Sequence, residues 1–171
     1  YITRKPSGDN LFKVKLEAGS HGHRVLAFTA EGAMSDDFSY RLTGRSYDYD
    51  SEFENTKENG PGVGGEETRS MNLSLYYSPT ENTDIHFNFS KSKDDDEQYA
   101  ITMQPSSENN CFEGKYYCGV VDPNIPVSLG GILEPGQYGI ERTRTRSFVQ
   151  IDHDFGFANL TWTSAFNKLD Y

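Results

Sequence analysis

Ser70-Met71-Asn72-Leu73-Ser74-Leu75-Tyr76-Tyr77, then Ser78-Pro79-Thr80-Glu81-Asn82-Thr83, then Asp84-Ile85-His86-Phe87-Asn88-Phe89-Ser90 is the stretch that decides the fold class. In its first part Met71, Leu73, Leu75 and Tyr77 alternate with Ser70, Asn72, Ser74 and Tyr76. In its last part Ile85, Phe87 and Phe89 alternate with His86, Asn88 and Ser90. Successive side chains of an extended strand point to opposite faces, so this alternation gives each segment one apolar and one polar face. Pro79 and Asn82 between them supply turn geometry. The stretch reads as two antiparallel strands joined by a compact turn.

The same alternation spreads outward in both directions. Phe12, Val14, Leu16 and Ala18 alternate with Lys13, Lys15 and Glu17, and Leu26, Phe28 and Ala30 with Ala27, Thr29 and Glu31. Phe38, Tyr40, Leu42 and Gly44 alternate with Ser39, Arg41, Thr43 and Arg45. A weaker run covers Thr143 to His153, with Val149 and Ile151 on one face, and a last one sets Ala158, Leu160, Trp162 and Phe166 against Asn159, Thr161, Thr163 and Asn167. No amphipathic helix competes with this pattern. The fold class is all-β: an antiparallel meander of about seven long strands.

The connections differ in length. Those at 19–23, 35–37, 78–83 and 154–156 are short, whereas 51–67 and 94–140 are long. If the first strand runs upward, the second, fourth and sixth connections fall at the bottom and are all short, and both long ones fall at the top. Long loops on one rim and tight turns on the other are the organisation of a transmembrane β-barrel. Several alternating runs cover about 9–12 residues, close to the length that crosses a bilayer at a tilt and longer than an ordinary globular strand. A soluble β-sandwich also alternates, with one face on its core, so periodicity alone leaves both architectures open.

Composition narrows the classes. No run approaches the length of a transmembrane helix. With 26 acidic against 16 basic residues the net charge is −10, which argues against a nucleic-acid partner. Eleven Tyr and eleven Phe argue against disorder. The acidity is local: loops 51–67 and 94–140 hold 13 acids and two bases, a net of −11, so the rest of the chain sums to +1. The sequence opens on Tyr1-Ile2-Thr3-Arg4 without a leader-like segment and closes on Leu169-Asp170-Tyr171 within a strand-like run, from which both ends are expected to be cuts in a longer chain.

Tyr1-Ile2-Thr3-Arg4-Lys5-Pro6 resembles the end of the plug domain in TonB-dependent outer-membrane receptors, where a similar strand hands over to the barrel. Glu17-Ala18-Gly19-Ser20, the turn Ser35-Asp36-Asp37 and the following Tyr40-Arg41-Leu42 fit the same order. Tyr76-Tyr77-Ser78-Pro79-Thr80-Glu81-Asn82-Thr83 looks like the family's periplasmic turn, and Leu160-Thr161-Trp162-Thr163-Ser164-Ala165-Phe166 like one of its barrel strands. The likeness runs along essentially the whole chain, through short and degenerate motifs whose order and spacing carry it. It implies that residues 1–9 end a plug and that 10–171 are the first seven strands and two long loops of the barrel domain. The piece would then be an open, curled segment of a 22-stranded transmembrane β-barrel.

The function implied is energy-coupled import of a scarce nutrient, a ferric siderophore first among candidates. The implied setting is the outer membrane of a Gram-negative bacterium. The partners are outer-membrane lipid, TonB acting through the plug, and an extracellular small-molecule substrate such as an iron–siderophore complex. No cofactor, no enzymatic activity and no nucleic acid belong to this reading. Two other classes stand beside it: a passive porin or structural barrel, and a soluble carbohydrate-binding β-sandwich.

Candidate residues follow. Cys111 and Cys118 lie in the longest loop and, in an oxidising periplasm, are expected to form a disulfide; free thiols or half of a metal pair are the alternatives. Tyr116 and Tyr117 between them are candidate ligand contacts, because aromatic side chains give large contact area at low entropic cost. Arg142, Arg144 and Arg146 share one strand face, as do Arg41 and Arg45. Arg142 and Arg144 could grip an anionic ligand, or, as structural groups, pair with carboxylates of the implied plug or snorkel at the rim. His21-Gly22-His23 is half a metal site and reads as an exposed turn. Gly60-Pro61-Gly62-Val63-Gly64-Gly65 lacks the Lys-Ser/Thr of a phosphate loop, and Asp94-Asp95-Asp96-Glu97 lacks the spacing of a calcium loop. No catalytic arrangement stands out.

Overall fold

The computed structural model describes residues 9–57, 62–99, 107, 109–119, 124–125 and 138–171. The plug-like motif Tyr1–Pro6 lies outside them, as does part of the Gly60–Gly65 run. The described residues form nine strands: β1 (Leu11–Ala18), β2 (Arg24–Ala33), β3 (Phe38–Tyr49), β4 (Glu54–Asn55), β5 (Glu66–Thr80), β6 (Thr83–Asp96), β7 (Asn124–Ile125), β8 (Ile140–Asp154) and β9 (Asn159–Asp170). The seven long ones make a single sheet in the order β1-β2-β3-β5-β6-β8-β9. Every neighbouring pair is antiparallel. The sheet is open, because β1 and β9 are its two edges and do not pair. Among the described residues there is no α-helix.

The meander places the connections as the alternation predicts. Residues 34–37, 81–82 and 155–158 join strands at one rim, and the segments 50–65 and 97–139 leave from the other, beside the turn at 19–23. We call the second the upper rim. The two upper segments meet each other. β4 and β7 form a parallel pair through Glu54–Asn124 and Asn55–Ile125, and Val63 bridges to Gln98. Gly65 donates its amide to the Glu97 carboxylate at 3.0 Å while Glu97 donates its own to the Gly65 carbonyl at 2.9 Å. Val63 is buried in this contact at 2% exposure.

Strands β5 and β6 run further upward than the hydrophobic pattern indicates. The alternation marks 70–77 and 85–89, whereas the ladder begins at Glu66 and continues to Asp96. Glu66, Glu67 and Asp94–Asp96, expected in the loops, therefore belong to strands. Above Met71 and Phe89 both faces become polar, so hydropathy no longer alternates although the backbone pairing persists. Cross-strand charges take over: Arg69 with Asp48 at 2.7 Å, Lys93 with Glu141 at 2.7 Å and Arg142 with Asp94 at 2.8 Å.

Burial is inverted relative to a soluble domain. The pairing register puts Phe12, Leu26, Leu42, Leu73, Phe87 and Trp162 on one face, and Arg41, Ser74, Asn88 and Gln150 on the other. The buried polar residues Glu31, Ser74 and Asn88 all belong to the polar face. On the apolar face Phe12 is 70%, Leu16 75%, Trp162 50% and Phe166 56% exposed on the edge strands β1 and β9, and Leu42, Leu73 and Phe87 of the inner strands are half-buried. Only Val25 and Val63 are buried hydrophobic residues among those described. A sandwich would need a second sheet over the apolar face; the seven long strands instead lie in one layer.

Candidate functional site

Reading the register across the polar face gives rows of side chains. One row runs Lys15, Ala27, Arg45, Ser70, Ser92 and Arg144, and the next runs Lys13, Thr29, Thr43, Asn72, Ser90 and Arg146. The two rows hold five cations and no carboxylate. Short hydroxyl and amide side chains occupy their centre, leaving an open concavity of about 450 Å³ between Arg45 on one side and Arg144 on the other. Arg45 is braced by the Tyr47 ring, 4.8 Å from its centroid, and Arg146 donates to Asn167 at 3.0 Å. The described residues give Arg144 no ion pair.

The rows above and below are different in character. Above, Arg142 donates to Asp94 at 2.8 Å and to Asp96 at 3.4 Å, so it locks β8 to β6. The expected pair Arg142 and Arg144 thus divides: the first is tied into the wall and the second borders the concavity. Below, Arg41 pairs with the buried Glu31. Beside it Asn88 donates to Ser74 at 2.7 Å and to Asn72 at 3.3 Å, and Asn72 donates back to Asn88 at 3.1 Å. Asn88 and Ser74 are buried within this network.

The upper rim is acidic. Asp48, Asp50, Glu66, Glu67, Asp95 and Glu97 surround a hollow of about 460 Å³. Asp94-Asp95-Asp96 alternates across the sheet: Asp94 and Asp96 face Arg142, and Asp95 points to the other face. His21 and His23 lie in the β1–β2 turn with their rings against Tyr49 and Tyr47, at 6.5 and 5.6 Å. Among the described residues no group of three or more His, Cys, Asp or Glu is placed to hold a metal ion.

The loop apex is a small self-contained turn. Cys111 and Cys118 are joined by a disulfide, with Cα atoms 5.6 Å apart. Cys111 and Tyr116 exchange backbone hydrogen bonds of 2.9 and 3.3 Å. Cys118 donates its amide to the Asn110 side chain at 3.0 Å. Phe112, Glu113 and Gly114 follow one another at φ of +31°, +58° and +70°. Two consecutive non-glycine residues in that region are costly, and the disulfide and the Cys111–Tyr116 pair enclose them. Tyr116 projects with 59% exposure, whereas Tyr117 is half-buried. Arg142 makes its ion pairs with β6.

The alternation placed Ser70 and Asn72 on a polar face without giving them a role, and Ser92 lies beyond it. Their importance lies in being small, and only the pairing register brings them beside Arg45 and Arg144. No protein-family model matches the chain, and no curated protein matches it.

Proposed function

We propose that the chain is a wall segment of an outer-membrane receptor of the TonB-dependent kind, which imports a scarce nutrient such as a ferric siderophore under energy coupling. The inverted burial carries this reading. Crowded polar residues on one face and an exposed apolar face on the other suit a sheet that curls around a wet, polar lumen and turns its outer surface to lipid. Strands of 12 to 15 residues in β3, β5, β6, β8 and β9 are long enough to cross a bilayer at a tilt and project beyond it.

In this reading the upper loops face outward and offer Tyr116 and Tyr117 to the substrate, and the cationic concavity around Arg144 lines the lumen. An anionic ligand or a carboxylate-bearing plug surface would meet those cations. No catalysis or cofactor is called upon. Uptake of labelled ferric siderophores by cells producing the protein that carries this chain, with TonB intact or deleted, is the test. Accumulation only with TonB supports the receptor; equal accumulation without TonB identifies a passive pore; no accumulation from a broad panel overturns siderophore import.

A further inference from the structure

The middle of the polar face carries more positive charge than its own carboxylates answer. Over the four rows from Glu31 up to Glu17 it holds seven cations and three carboxylates. Each of those carboxylates is already matched: Glu31 by Arg41, Glu17 by Lys15 at 2.6 Å, and Asp94 by Arg142 at 2.8 Å. Lys13, Arg45, Arg144 and Arg146 are left over. The three arginines among them line one hollow of about 450 Å³, and no carboxylate lines it. The described residues give none of the three an ion pair.

Shape and preorganisation add to the charge. Arg45 on β3 and Arg144 on β8 stand three strand spacings apart, roughly 14 Å across the sheet. Between them Ser70 and Ser92, with Ser90 in the next row, keep the floor low and offer hydroxyl donors. Two of the guanidinium groups are held beforehand, Arg45 against the Tyr47 ring at 4.8 Å and Arg146 on Asn167 at 3.0 Å, which lowers the ordering cost of binding. A ligand with one small anionic group answers one side of so wide a hollow and leaves the other charged. We infer that the hollow binds a polyvalent oxyanion, a ligand carrying at least two carboxylate or phosphate groups spaced along it. One group sits on Arg45 and another on Arg144 and Arg146, over the serine floor. This names a substrate class for the proposed receptor and rests on that reading for the ligand's passage along the lumen; the binding itself requires only the described sheet.

Equilibrium dialysis of the purified protein that carries this chain, in a nonionic detergent, tests the site with labelled tricarballylate, pyrophosphate and acetate as probes. The expected result is retention of tricarballylate or pyrophosphate at least about tenfold tighter than acetate. The tighter of the two tells carboxylate from phosphate ligands. Arg45→Gln and Arg144→Gln are each expected to weaken retention about tenfold, and Arg144→Lys by less, because the charge stays while the planar fork is lost. Ser92→Asp, which sets a carboxylate on the floor, is expected to abolish retention. Lys93→Gln removes the same charge from the opposite face and is expected to change retention less than about twofold. No retention of either polyvalent probe, equal retention of acetate, or an effect of Lys93→Gln equal to that of Arg144→Gln overturns the site. The assay needs neither TonB nor transport. Its failure beside TonB-dependent uptake therefore overturns the site alone, and retention beside uptake that ignores TonB overturns the receptor reading alone.

Discussion

Glu31 shows how much a single pairing can hold. It is 2% exposed on the polar face, opposite Arg41 in the β2–β3 register. A carboxylate so enclosed depends on its cation, and removing the cation costs far more than the pair itself contributes. Arg41→Met is expected to destabilise the sheet toward the lower end of about 3–5 kcal/mol, since Glu31 retains further contacts. Urea unfolding in detergent measures it. Arg41→Met combined with Glu31→Gln is expected to recover most of the loss, and no recovery would mean that Arg41 acts by packing alone. Gly44→Val makes a second residue-scale case: its Cβ would displace the Phe28 ring, at about 1–3 kcal/mol, and Phe28→Ala in the same chain should relieve it. Arg41 was legible as a polar-face cation from its parity, but its partner ten residues back across a turn was not, because a single sequence does not state register.

At the scale of elements, the lower parts of β5 and β6 were readable and their upper parts were not. Below Met71 and Phe89 one face of the sheet carries apolar side chains and the other polar ones, so hydropathy alternates and reports the ladder. Above them Thr68, Arg69, Lys93 and Asp94 face either side with comparable polarity, and only cross-strand pairing holds the strand together. Tiny β4 and β7 were illegible for another reason: two-residue pairs between distant loops leave no period to detect. A cysteine scan of β6 from Ile85 to Asp95 tests the faces directly. Odd positions up to Phe89 should react with a bilayer-soluble maleimide and even positions with a water-soluble one, with the distinction fading from Lys91 onward; uniform reactivity along the strand would contradict the two-faced wall. The apex behaves as a separate element. Cys111→Ser/Cys118→Ser should loosen the turn by roughly 2–3 kcal/mol on the chain-entropy account, seen as faster proteolysis at 109–119, while the unfolding midpoint of the sheet stays unchanged.

The described residues form a sheet with almost no buried apolar core, and the solution behaviour expected of the chain follows from that. A folded soluble domain covers its large apolar side chains with a second layer, yet Phe12, Leu16, Leu26, Trp162 and Phe166 share one uncovered face. Contiguous exposure of this kind drives association. Both edges add to it, since β1 and β9 each present unpaired backbone donors and acceptors along 8 and 12 residues. Net charge opposes association, but the −10 is concentrated in the upper connections and strand ends, away from the apolar rows. The chain in plain buffer is therefore expected to form concentration-dependent oligomers, and in a nonionic detergent to become monodisperse once micelles cover the face. Size-exclusion chromatography with light scattering, with and without detergent, reads both states. A Val14→Lys/Phe166→Lys variant, with a charge on each edge strand, separates the two causes: edge pairing predicts smaller oligomers in buffer, whereas a face-driven process persists because β2, β3, β5 and β6 keep their apolar rows. A monomer in plain buffer with a cooperative melt would require that the apolar face be covered by the chain itself, and would return the architecture to a soluble two-layer protein.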